Sequence, residues 1–318
     1  MSKTIHPIWD VIIVGAGPAG CAAAMVLVRA RRKVLLIDDG NPRNIRSQGI
    51  HNYLTRDGLL PSEFREITHN DLKTYGVEFV NARATAARQL DKHGFEIKDN
   101  KNRVHLSRRL LIATGVTDNI PAIPGMKEMW GRGVYHCPFC DGWGLHDKVV
   151  GLYAKRFNGY GMSLALRQLT DKVILFTDEA KYLKPKQREH LAARGIDVVG
   201  GAVARLTCAE EKITCVTLKD GSSVGCDVVF IHHGSKFNNA LIKQLGGKCN
   251  SKGAALTNRR QQCSVRGVYV AGDAAYDMQM VAVAAAEGVK AAVTIHNDLL
   301  KTDNAMVQTS ADPVPSYK

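Results

Sequence analysis

The hydrophobic pattern alternates between short β-branched runs and apolar stretches of helical period. Val11–Val14 is a four-residue apolar run that reads as a buried parallel strand, and Ala22–Val28 continues as an apolar helix. "KVLLIDD" is a second strand ending at Asp38, "RRLLIATGV" (108–116) a third and "GVYVAGDAA" (267–275) a fourth. In between, "VVGLY" and "KVILFTDEA" (172–180) repeat the strand signal, and a helix is expected to start near Met278. Strands alternating with helices predict an α/β fold with parallel sheets.

The turn between the first strand and helix carries chemistry. Gly15, Gly17 and Gly20 form G-x-G-x-x-G, with Ala16, Pro18 and Ala19 filling the spacing. The first glycine permits a tight turn, the second lets backbone approach a pyrophosphate, and the third lets helix and strand pack closely. The helix N-terminus then faces the phosphates with its partial positive charge. Asp38 stands where a ribose hydroxyl is held. Strand, glycine turn, helix, strand and acid together make a dinucleotide site.

The 318 residues suffice for two domains. No short fixed-period repeat occurs, and no apolar run approaches the ~18 residues of a membrane span. "MSKTIHPIWD" runs straight into a strand without a signal-peptide pattern, so a cytoplasmic protein with no membrane partner is expected. The formal charge is +13. Its basic residues are scattered and accompany no nucleic-acid motif, which argues for a solvated basic surface or acidic partners over nucleic-acid binding.

Of eight cysteines, only Cys137 and Cys140, in "CPFCDGWG" (137–144), have a spacing that suggests chemistry. Cys21, on the first helix, reads as packing. A C-x-x-C pair in a βαβ context reads as redox-active. Zinc needs four ligands; His136 and His146 flank the pair, but no second C-x-x-C exists and the spacing is not a zinc spacing, so no metal is expected. The pair is expected at a strand-to-helix junction, where a helix N-terminus lowers a thiol pKa.

From "GAGPAG" through "CPFCDG" to "VAGDAA", over roughly residues 8 to 300, the chain resembles the low-molecular-weight thioredoxin reductases. The resemblance implies a two-dinucleotide-binding-domain flavoprotein: a Rossmann-like FAD domain, residues 1–118 and 240–301, interrupted by a smaller NAD(P)H-domain-like unit, 119–239, that carries the cysteines. The polar segment 302–318, with two prolines, reads as a flexible tail, and the resemblance implies a homodimer. It assigns FAD to Gly15, Ala16, Gly17, Pro18, Ala19, Gly20, Asp38, Gln48, His51, Asn52, Ala84, Ala113, Thr114, Gly115, Gly272, Asp273, Gln279, Met280 and Val281. Ala84 matches an adenine contact, Asp273 the ribityl chain, and Gln279 to Val281 the pyrimidine edge; His51 faces flavin or substrate, or is a surface histidine. By the same resemblance Cys140 faces the flavin, Cys137 exchanges with substrate, and Asp141 shuttles the proton. His136 is a second candidate base, or a structural residue at a strand end.

One departure redirects the reading. After "VVGLY" comes "AKRFNGYG", which is not a second G-x-G-x-x-[GA]; Gly159 and Gly161 arrive too late. The next strand ends in Asp178 and Glu179, acids that repel a 2′-phosphate. Lys155 and Arg156 remain able to hold a phosphate, so NADPH is doubtful rather than excluded. A whole FAD fingerprint beside a broken NADPH one resembles the dithiol oxidases that close disulfides in natural products such as gliotoxin, holomycin and the romidepsin-type depsipeptides. "GVYHCPFCDGW" and "HNYLTRDG" look like that group. The implied substrate is a small-molecule dithiol and the implied acceptor O2. The competing expectation is a thioredoxin-type reductase using NADPH in a nonstandard mode or a ferredoxin-type donor. A flavin-binding sensor would have no use for both thiols and the acid.

Overall fold

The computed structural model describes residues 8–90, 94–156, 158–275 and 278–307. These fall into two compact units. One comprises residues up to Pro42, Arg65–Thr117 and Lys236 onward; the other comprises Arg43–Phe64 and Asp118–Ser235.

The first unit opens with β1 (Ile8–Val14), α1 (Pro18–Arg29) and β2 (Val34–Asp38). The strands pair in parallel, with Val11 opposite Val34 and Val14 opposite Ile37. Helix α2 (Pro61–Thr74) leads to β3 (Glu78–Asn81), then β4 (Ala84–Leu90), β5 (Gly94–Asp99) and β6 (Val104–Ile112). The sheet order is β3-β2-β1-β6-β5-β4. Val11, Ile13 and Leu36 point to one face, and Ile12, Val14, Leu35 and Ile37 to the other; all are buried. Period-two alternation of apolar residues on a doubly covered sheet explains why these strands read as continuous apolar runs.

Two strands, β7 (Val116–Asp118) at the exit and a later partner at the return, pair with one another along the connecting segments. Within the second unit, β8 (Val134–Tyr135) is followed by α3 (Pro138–Asp141), β9 (Val149–Tyr153), α4 (Asn158–Leu166), β10 (Lys172–Phe176), α5 (Pro185–Ala193) and β11 (Ile196–Val199). An antiparallel meander of β12 (Val203–Ala209), β13 (Lys212–Leu218) and β14 (Ser223–Gly225) precedes β15 (Val228–Ile231). The parallel sheet has the order β11-β10-β9-β15-β8. Its own core includes Val150, Leu152, Leu175 and Phe230.

The return strand β16 (Ser235–Phe237) leads to α6 (Ala240–Gln244). In the first unit β17 (Val268–Val270) joins β6 in parallel, and α7 (Val281–Val307) packs along α1. The two helices approach to backbone contact: a Cβ on Gly288 would lie 2.0 Å from Ala19 O.

The division differs from the expected boundaries in three places, the first being that the second unit runs Asp118–Ser235 where 119–239 was expected. Arg43–Phe64 clusters with the second unit, although it is remote in sequence from the residues it joins; Arg43 pairs with Asp118, and Arg46 donates to Lys127 O at 2.9 Å. The expected tail from 302 is helical through Val307. Arg32 and Arg108 both bind Asp303, and Arg109 donates to Thr302 at 2.8 Å, which ties this turn to the sheet. The rest of that tail, from 308, lies outside the described residues.

Candidate active site

The glycine turn of the first unit is built as the sequence implies. Gly15 has φ +106° and lies so close to β6 that a Cβ would sit 2.3 Å from Ala113 O. A Cβ on Gly20 would meet Gly15 O at 1.9 Å. Gly17, by contrast, is the N-cap of α1, with Pro18 at the first helical position, and a Cβ there would meet nothing within 4 Å. Tightness at Gly15 and Gly20 with open space beside Gly17 fits a pyrophosphate cradle. Ala16 N donates to Asp38 Oδ2 at 2.6 Å, while Asp38 Oδ1 accepts from Gly40 N and from Arg65. Burial opposes the charge on Asp38, but the Ala16 N–H, Arg65 and the Gly40 N–H outweigh it and hold the carboxyl below its ordinary range.

Of the other expected cofactor residues, Ala113 and Gly272 adjoin this turn. Gly272 (φ +72°) reaches Ala19, whose Cβ would lie 2.9 Å from one on Gly272. The Gly272–Ala274 turn holds Asp273, and buried Glu287 accepts from Gly272 N at 2.7 Å. Thr114 and Asn238 lock the Ala113–Gly115 corner through Thr114 Oγ1 to Asn238 O, 2.8 Å, and Asn238 Nδ2 to Thr114 O, 3.1 Å. Ala84 packs against the buried cluster of Ile12 and Ile37. Gln279 and Met280 precede α7, which begins at Val281 and not near Met278; its entry bond runs from Ala284 N to Met280 O. Gln48, His51 and Asn52 belong to the second unit. Gln48 donates to Arg46 O, and Asn52 turns its amide toward Phe139.

Sequence reasoning missed Arg65 and His69, which α2 presents one turn apart beside Asp38. The His69 ring lies tilted against Phe79, centroids 4.7 Å apart, and is held below its ordinary value by burial and Arg65. Their spacing of four was the available signal, but nothing in sequence placed α2 beside the glycine turn. Glu287 was invisible because its partner is a backbone N–H.

Cys137 and Cys140 form a disulfide, with Cα atoms 5.3 Å apart. Cys137 is the N-cap of α3 and Pro138 its first residue, so the pair sits at the junction after β8 as expected. That helix has only four residues, however, and a single turn carries little macrodipole. The local donor is Cys140 N–H, 3.2 Å from Cys137 Sγ. Burial pushes Asp141 up to about 6, with His51 nearby partly offsetting it. A carboxyl in this range can take and release protons near neutrality. Phe139 and Trp143, on either side of Cys140–Asp141, are 79% and 98% exposed.

His136 is not suited to the second base role considered for it. Arg43 chelates Asp118 through Nε at 2.9 Å and Nη2 at 2.5 Å, and Nη2 also lies 3.0 Å from His136 Nε2. A guanidinium can only donate, so Nε2 is an acceptor already in use. The ring stacks on Trp130 at 5.6 Å. Burial and the Arg43 charge lower the imidazole to about 4. His146, the other flanking histidine, bonds Asp147 at 2.9 Å.

At the second nucleotide position, the strand, turn and helix of β9–α4 are present, but the chain's own side chains occupy the turn. Tyr182 donates to Ala154 O at 2.8 Å, and its hydroxyl lies 2.1 Å from where a Cβ on Gly159 would be. Asp178 does not project as a free acid. It accepts from Tyr153 at 2.6 Å and Val203 N at 2.8 Å, and pairs with Lys155, one of the two cations left able to hold a phosphate. His232 and Asn158 bond at 2.8 Å across the mouth of α4. A neighbouring cleft of about 510 Å3 is lined by Lys155, Asp178, Glu179, Lys219 and His233.

A glycine cradle followed by a helix-capping disulfide and a second nucleotide-domain-like unit defines a two-domain disulfide oxidoreductase of thioredoxin reductase type. The chain belongs to the pyridine nucleotide-disulphide oxidoreductase family, whose model matches residues 9–288. The crystal structure of HlmI superposes with TM-score 0.91 at 32% identity, over 95% of this chain and 96% of that one. A thioredoxin reductase, tcpT, of Claviceps purpurea (strain 20.1) is 30% identical over 83% of this chain and 86% of its own. Thioredoxin reductase sirT of Leptosphaeria maculans is 26% identical over 95% of this chain and 98% of its own. The family makes the protein a thioredoxin-reductase-like redox enzyme and implies a flavin. Among the described residues no helix is long and apolar enough to cross a membrane.

Proposed function

We propose that this protein is an FAD-dependent dithiol oxidase that closes a disulfide in a small-molecule dithiol. The observation that carries the reading is the contrast between the two nucleotide positions. The first keeps an open cradle at Gly17 with Asp38 beside it, whereas the second has Tyr182 against Gly159 and Lys155 engaged by Asp178. The sequence resemblance to dithiol oxidases supports the same direction of electron flow.

FAD would be held by Gly15–Gly20, Asp38, Ala84, Ala113–Gly115, Gly272, Asp273 and Gln279–Val281. When bound, it supplies the two-electron acceptor that restores the protein disulfide, with O2 as final acceptor and H2O2 as product. The chain's own residues do the sulfur chemistry. A substrate thiolate attacks Cys137 Sγ, and the Cys137–Cys140 bond breaks with Cys140 leaving as thiolate. The second substrate thiol gives up its proton and attacks the substrate sulfur of the mixed disulfide. Cys137 leaves as thiolate, and the substrate departs two electrons and two protons poorer. Asp141 is the group placed to accept a proton at its carboxylate. A cytoplasmic homodimer is proposed with this reading.

The test is to mix the flavin-loaded protein anaerobically with dithiothreitol and, separately, with NADPH, following absorbance near 450 nm. Bleaching by the dithiol with recovery in air supports the oxidase; rapid bleaching by NADPH overturns it. The second reading, a disulfide reductase with a nonstandard NADPH mode or a ferredoxin-type donor, draws on the net charge of +13, which suits an acidic donor protein.

A further inference from the structure

The peptide unit between Phe139 and Cys140 is held at both ends. At one end, Asn52 Nδ2 donates to Phe139 O at 2.7 Å. At the other, Cys140 N–H points at Cys137 Sγ, 3.2 Å away, in a three-centre arrangement with Cys137 O, also at 3.2 Å. Asn52 is itself fixed. Its backbone is left-handed (φ +59°), a conformation asparagine tolerates better than most residues. Its N–H donates to Asp57 Oδ1 at 2.8 Å, and the loop closes through Gly58 N to Ile50 O at 2.7 Å.

We propose that Asn52 is a positioning residue for the exchanging cysteine: by gripping Phe139 O it orients and polarises the peptide whose N–H stabilises the Cys137 thiolate. The physical basis is cooperativity. A donor on the carbonyl oxygen of an amide withdraws electron density through the peptide bond and makes the N–H of that same amide a stronger donor. It also keeps the plane aimed at sulfur after the disulfide opens, when the closed ring no longer does so. In a helix of four residues this single N–H takes the place of a macrodipole. Asn52 acts through Phe139 and does not itself touch the sulfur.

The inference rests on the reading of Cys137 as the thiol that meets substrate, but not on the direction of electron flow. The experiment follows the pH profile of iodoacetamide alkylation at Cys137, read by mass spectrometry of its peptide so that the free Cys208, Cys215 and Cys249 do not contribute, in the reduced full-length Cys140→Ser protein, which removes the disulfide partner and keeps the backbone N–H of residue 140. Asn52→Gly removes the side chain while accepting the left-handed backbone. The other ionisable groups beside the pair are Asp141, His51, Asp57, and His136 with Arg43 and Asp118, and all are unchanged. The half-maximal pH moves up by about half a unit, and the rate at pH 7 falls about threefold. Asn52→Asp, which keeps the backbone preference but cannot donate when ionised, gives the same shift in about 1 M salt, where the Debye length is about 3 Å. A variant profile superimposed on the parent overturns the proposal. Because NADPH and oxygen play no part, failure of the oxidase reading leaves this result standing.

Discussion

Arg43 Nη2 lies 3.0 Å from His136 Nε2 and 2.5 Å from Asp118 Oδ1, so one guanidinium closes off the histidine that adjoins Cys137. His136 is therefore neutral near pH 7, with Nε2 an acceptor already in use, and its ring packs against Trp130.

Replacing His136 with Asn should leave turnover with a small dithiol within about threefold of the parent, far from the ~100-fold loss expected of a general base. Replacing Arg43 with Met should raise the His136 pKa from about 4, because the cationic neighbour is gone and Asp118 loses its partner. Imidazole NMR shifts across pH 3–8 measure this; an unchanged midpoint counts against the electrostatic account.

Asp141→Asn should lower dithiol turnover about 100-fold if this carboxyl moves the proton. It should also change stability in a defined pH window. Burial raises the Asp141 pKa to about 6 from 3.8 unfolded, so ionisation in the folded state is disfavoured and stability is lost as pH rises through that interval. Asn, which carries no charge, escapes the loss. The variant should melt about 2–4 °C above the parent at pH 7.5, and the two should converge below about pH 4. Thermal melts at both pH values decide it.

Two glycines separate cofactor binding from folding. Gly17→Ala places a methyl where no protein atom lies within 4 Å, at an ordinary φ of −74°, so the apoprotein should fold normally while FAD binds about tenfold more weakly or worse. Gly288→Ala places a methyl 2.0 Å from Ala19 O and must part α1 from α7, costing about 2 kcal/mol or more. Flavin titration and apoprotein melting distinguish them. Equal Tm losses in both variants would contradict this division.

Cys137→Ser should abolish dithiol turnover while FAD content stays at the parent level. Cys140→Ser, reduced and then offered a linear small-molecule disulfide, should let Cys137 attack it and hold one half as a mixed disulfide while the other half leaves as thiolate, visible by mass spectrometry of the intact protein. Adduct on Cys140 in the converse variant would reverse the assigned roles.

The sequence alone settled much of this protein. Local chemistry carried it: the strand-turn-helix around Gly15, Gly17 and Gly20 follows from short-range steric rules, and the C-x-x-C spacing seats both sulfurs in one turn. The broken second fingerprint was legible for the same reason, as a local motif that is missing. What only the tertiary structure decided are the long-range pairings that give polar groups their roles. Arg43 meets His136 across 93 positions, and Asn52 meets Phe139 across 87. Asp178 and Glu179 looked in sequence like a matched pair of repelling acids. In the fold Asp178 turns inward to Tyr153, Lys155 and the N–H of Val203, while Glu179 lines the cleft. The α7 turn at Thr302–Asp303 is polar by composition and reads as tail, yet Arg32, Arg108 and Arg109 hold it in place. A motif records which groups are available. Whether a buried ionisable side chain is a base, a brace or a cap depends on which partner the fold places at hydrogen-bond distance, and that partner is set by packing far along the chain.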